Sequence, residues 1–177
     1  KTTNIYKADF PIQYGGRLSS LIDIRTRDGN KERFSGSASI GLVSTRFSVE
    51  GPIKKETSSF IFSGRKSYSD WLLKKIDDPT INGSSSKFSD FTFALNHNTA
   101  KTQISAFGYY SNDYFQLADI NKYSYFNKGA SLNIGHNFSD DKRLNFSMVG
   151  SIYGFHTIDS QQKTTSYEHS YQISDFE

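Results

Sequence analysis

The chain has no cysteine, one methionine, one tryptophan and three prolines in 177 residues. Without cysteine there are no disulfides and no thiolate metal sites, so folding rests on packing and hydrogen bonds. Leu, Ile, Val and Met are sparse and hydrophobic residues reach only 35%, which leaves too little for a thick helical core. No run of about 18 apolar residues occurs, so no helix of the transmembrane type is encoded. No signal-peptide pattern opens the chain, so Lys1 reads as a mature start or a cut. The net charge of +3 is small and the basic residues are dispersed. Nucleic-acid binding, which needs a concentrated basic face, finds no support.

Aromatic residues are abundant instead, with 15 Phe and 11 Tyr beside many Ser, Asn and Gly. Disordered chains are poor in aromatics, and this mixture favours strands and turns. The decisive pattern is alternation with period two. In GASLNIGHNF, Ala130, Leu132, Ile134, His136 and Phe138 share one face. In RLNFSMVGSIYG the matching set is Leu144, Phe146, Met148, Gly150 and Ile152, and in SDFTFALNHN it is Phe91, Phe93, Leu95 and His97. FSGSASIGL repeats the theme from Phe34. About eight strands of about ten residues follow, all antiparallel.

Short polar turns at 54–58, 100–102 and 140–142 alternate with long connections at 69–87, 116–128 and 157–169. Tight turns at one end and long loops at the other suit an up-and-down meander in the wall of a transmembrane β-barrel. A soluble sandwich or lipocalin-like sheet also alternates. The polar faces carry Ser, Asn, Thr and Gly where a soluble exterior would carry Lys and Glu, which favours the membrane wall.

YGGRLSSLIDIRTRDGN (14–30), FSGSASIGLVSTRFSVEGPI (34–53) and SSFIFSGRKSY (58–68) resemble TonB-dependent outer-membrane receptors of the Bacteroidota type. The resemblance implies an all-β fragment, with residues 1–31 as the end of the plug and 32–177 as the first part of a barrel of roughly 22 strands. It implies energy-coupled nutrient import across the bacterial outer membrane. Its partners would be outer-membrane lipid, a TonB complex reached through a segment not in the chain, a surface lipoprotein, and a small-molecule, glycan or peptide ligand. Gly15, Gly16, Arg17, Arg25 and Arg27 would form plug-to-barrel contacts, with Asp28 beside them. Solvated linker charge is the equal alternative for the charged members. Two other functions stay open: a receptor-like barrel acting as a scaffold, and a soluble β-sheet recognition module.

No nucleophile elbow, phosphate loop, dinucleotide fingerprint or zincin helix is present, so no enzyme activity and no cofactor are expected. His97, His136, His156 and His169 lack paired ligand spacing; structural or interfacial positions suit them better. In the segment 68–87, a helix over 69–76 with Asp70 as N-cap is expected. Trp71, Asp77 and Asp78 are the candidate external-loop contacts. Tyr68 and Trp71 read first as headgroup-level anchors. Tyr109, Tyr110, Tyr114, Phe115, Tyr123, Tyr125 and Phe126 would complete an aromatic girdle.

Overall fold

A computed structural model describes residues 2–7, 20–118, 121–162 and 165–176. Two short strands, β1 (Thr2–Tyr6) and β2 (Leu21–Arg25), pair antiparallel as a sheet of their own. A second sheet contains β3 (Ser35–Ile40), β4 (Ser44–Lys54), β5 (Ser58–Ser67), β6 (Ser85–Asn98), β7 (Thr102–Leu117), β8 (Asn121–Ser139), β9 (Lys142–Gln162) and β10 (Thr165–Phe176). Each strand pairs with its sequence neighbours, in the order β10-β9-β8-β7-β6-β5-β4-β3. Two single-turn helices, α1 (Asp70–Leu73) and α2 (Pro79–Asn82), fill the β5–β6 connection.

Directly opposed residues of antiparallel strands share a face, so the register sorts the sheet into two surfaces. One is apolar. Val49, Phe62 and Phe93 oppose one another in a row across β4, β5 and β6. Leu95, Ala106, Leu132 and Met148 continue the next row across β6 to β9, and Ile104, Ile134 and Phe146 the one after. Rings interlock along it: Phe47 meets Phe62 edge-on at 5.5 Å between centroids, and Phe62 stacks with Phe91 at 6.4 Å. Gly64 lies between the rings of Phe47 and Phe91, where a Cβ would collide with both. The opposite face carries Ser48, Ser63 and Thr92, then Asn96, Ser105, Asn133 and Ser147.

The sheet is open, which corrects the expected barrel wall. A barrel closes only when its first and last strands share a ladder; here β3 and β10 are the two edges of the sheet and are not paired with each other. The alternation seen in the sequence records a two-faced sheet, and closure does not follow from it. The apolar face has no second layer among the described residues, where Ala94 is the one buried hydrophobic side chain. Phe93, Phe146 and Met148 stay 43%, 49% and 55% exposed. The accessible surface is 12959 Å² for a mass of 20.0 kDa, against about 8,700 Å² for a compact monomer of that mass.

Strand length is a second difference. β7, β8 and β9 run for 16, 19 and 21 residues, where about ten were expected. Much of the long connections expected at 116–128 and 157–169 is continuous ladder. There Tyr114 and Ser124 face one way while Phe115 and Tyr123 face the other. With aromatic and polar groups on both sides, period two leaves no apolar contrast to read.

Candidate recognition surface

Two parts of the polar face hold chemistry. The first lies at the tight-turn end, where β6–β7 and β8–β9 turn within a few residues and bring five carboxamides together. A cavity of about 400 Å³ is lined there by Asn96, Asn98, Gln103, Asn133, Arg143 and Asn145, together with Asp28. The Arg143 guanidinium is held flat: Nε donates to Asn145 Oδ1 at 2.9 Å and Nη2 to Gln103 Oε1 at 3.3 Å. Gly135 makes this geometry available, because a Cβ there would press on Arg143 Nη2 and Asn145 Oδ1 at 3.1 and 3.2 Å. Ser147 donates to Asn133 Oδ1 and so orients that carboxamide. Ser59, opposite Asn96, is fully buried and its hydroxyl has no hydrogen-bond partner.

Residues 27–31 cross this end of the sheet and are pinned to it. Arg27 donates from both terminal nitrogens to the two oxygens of Glu50, at 2.5 and 2.9 Å. The same carboxylate accepts the Asn30 backbone N–H at 3.2 Å and the Ser35 hydroxyl at 3.5 Å. Hydrogen bonding from Arg27 holds the Glu50 carboxyl below its ordinary value against the opposing pull of burial, and raises Arg27 in return. Lys31 pairs with Asp28 at 3.0 Å, and its carbonyl accepts from Glu56 N–H at 3.0 Å.

The second part is an aromatic cluster towards the other end. The rings of Tyr125 and Phe155 lie 5.0 Å apart, Phe155 and Tyr171 5.4 Å, and Tyr153 and Tyr171 6.0 Å. Burial and the neighbouring Tyr171 hydroxyl push the Tyr153 phenol up. On the same face, across β5 and β6, Arg65 pairs with Asp90 and lies 4.8 Å over the Phe88 ring.

Of the residues singled out in the sequence, Asp28 and His97 line the cavity, and the others lie elsewhere or outside the described residues. Gly15, Gly16 and Arg17 lie outside the described residues. Arg25 ends β2, and Arg27 makes the Glu50 pair. Trp71 on α1 donates Nε1–H to the Leu42 carbonyl at 3.0 Å, and Tyr68 donates to the Gly41 carbonyl. Both side chains therefore grip the β3–β4 turn, which replaces their reading as lipid anchors. Asp78 caps α2, its Oδ1 accepting from Thr80 and Ile81 N–H at 2.8 and 3.2 Å. Asp77 is exposed between the helices. The N-cap of α1 is Ser69, not Asp70. The Asp70 carboxylate instead ties α1 to β6, accepting from Ser85 Oγ at 2.9 Å and from Lys87 at 3.0 Å. Burial opposes its ionisation, yet these bonds prevail and hold its carboxyl low. His97 and His136 bond through Nδ1 to Ser58 and Thr102 hydroxyls at 2.7 and 2.8 Å. The sequence reading missed Arg143 and the five carboxamides. Their signal was the recurrence of Asn and Gln at turn-proximal positions of successive polar faces.

Comparison with protein-family models, with characterised proteins and with solved structures finds no match. With the sheet open and no family matched, the resemblance to TonB-dependent receptors is set aside. Nutrient import, the outer-membrane location, and the lipid, TonB and lipoprotein partners were drawn from that resemblance and the barrel expectation, and they go with them. No helix among the described residues is long and apolar enough to cross a membrane. The geometry belongs to a sheet that offers two chemically distinct faces.

Proposed function

We propose that the chain is a β-sheet recognition module that holds a polar stretch of polypeptide on its carboxamide-lined face and performs no catalysis. The convergence of five carboxamides, one guanidinium and one carboxylate on a single cavity carries this reading. Asn and Gln each offer donors and acceptors, which match the alternating N–H and C=O groups of a peptide. The fixed fork of Arg143 suits a carbonyl or carboxylate, and Asp28 suits a donor. The cavity volume falls in the range of small-ligand sites, about 300–1,000 Å³. The non-catalytic part rests on the sequence, where no serine has a histidine and acid arranged to activate it.

A random twelve-residue peptide display library, panned against the chain and against its Asn133→Leu/Arg143→Leu variant, tests the reading. The expected result is a set of polar sequences retained by the parent chain and lost by the variant. Equal recovery from both, or no enrichment, contradicts it.

A further inference from the structure

We infer that the outer edge of β3 is a strand-addition site that takes an extended segment of polypeptide with alternating apolar and polar side chains. This extends the recognition reading to a second surface and rests on it. β3 ends the sheet, and every one of its residues is exposed, Ile40 to 84%.

The hydrogen-bond phase shows which groups face outward. Gly41 N–H donates to Ser44 carbonyl at 2.9 Å, so these two form a bonded pair across the turn. Bonded and non-bonded pairs alternate along an antiparallel ladder. Counting back through the register, Ser39, Ser37 and Ser35 bond to β4. Gly36, Ala38 and Ile40 therefore point their N–H and C=O groups away from it. Three donors and three acceptors stand in a row, spaced for one more strand.

Natural edges are normally guarded by charge, proline or a bulge. SGSASI has none of these, and the β3–β4 register is uninterrupted. The other edge strand, β10, carries Glu168, His169 and Asp175, so the unguarded edge is β3. An added strand would continue the apolar face beside Gly36 and Ala38 with large side chains. Opposite Ser35, Ser37 and Ser39, on the polar face, it would place polar ones.

The probe is a synthetic peptide of residues 44–52 (STRFSVEGP), whose alternation already matches β3, with a proline-interrupted peptide as control. Amide exchange of Gly36, Ala38 and Ile40 should slow at least about tenfold with the probe and not with the control. Ala38→Pro removes one outward donor while leaving the β4-facing bonds of its serine neighbours, and should weaken binding about three- to tenfold. Ile40→Lys, at a fully solvated position, supplies the missing guard and should weaken it too. Both variants should keep β4 amides protected and should keep the peptides retained by the carboxamide cavity. Unslowed exchange at saturating probe, or unchanged binding by both variants, overturns the edge site. If cavity-bound peptides are retained as before, the recognition reading survives that failure.

Discussion

Gly29 is buried against β5, and a Cβ at this position would run into the Phe60 carbonyl oxygen. Backbone cannot yield as a side-chain tip can, so Gly29→Ala should destabilise by about 1–3 kcal/mol, seen as a lowered denaturation midpoint. Glu50 supplies a pH test. Its folded-state carboxyl lies below the ordinary value of 4.5, so its contribution is present above that value and is lost as pH falls through the lower folded value. Arg27 is more than half exposed, which limits the pair to about 1 kcal/mol or less. Stability measured from pH 6 down to pH 3 should fall less steeply in Glu50→Gln than in the parent chain. An identical slope would remove the pair from the account. The sequence marked Arg27 as an ion-pair candidate, but its partner lies 23 positions away, a separation that only the β3–β4 register closes. Nothing local to Arg143 or Asn133 set them apart either, since Asn, Ser and Arg at a strand end look the same with or without neighbours across the sheet.

At the level of elements, the period-two segments 34–42, 89–98, 129–138 and 143–154 overlap ladder strands. Their facing residues were legible because one side of each is Phe, Leu or Ile and the other Ser or Asn. The extensions of β7 to β10 were not, because aromatics occur there on both faces. α2 was also missed: its four residues show no helical periodicity, and its start is set by Asp78 followed by Pro79 at the first helical position. Removing that cap should matter locally. Asp78→Ala leaves the Thr80 and Ile81 amides without their acceptor and should cost about 1 kcal/mol. Amide exchange should quicken over residues 80–84 and stay unchanged in β6. A global loss of protection would show instead that the helix is coupled to the sheet as a whole.

At the scale of the whole molecule, the eight-stranded sheet is open and its apolar face is uncovered among the described residues. An excess of about 4,000 Å² over a compact monomer is of the size that obligate interfaces bury, so the isolated chain should associate with itself in dilute buffer. Phe93→Gln/Met148→Gln should shift sedimentation towards the monomer with strand content intact; an unshifted distribution would place the association elsewhere. The expectation of a barrel wall failed at this scale for a physical reason. Alternation reports that a strand has two different sides, and it is silent on whether the first and last strands meet. If polypeptide is held on the polar face, two adjacent residues of β9 should distinguish it from the apolar one. Ser147 lies on the polar face and Met148 on the apolar one. A photoreactive phenylalanine analogue is placed at one or the other position in the full natural protein. The account predicts adducts to polypeptide from position 147 that Asn133→Leu/Arg143→Leu abolishes. Polypeptide adducts from position 148 alone, or none from 147, would contradict it.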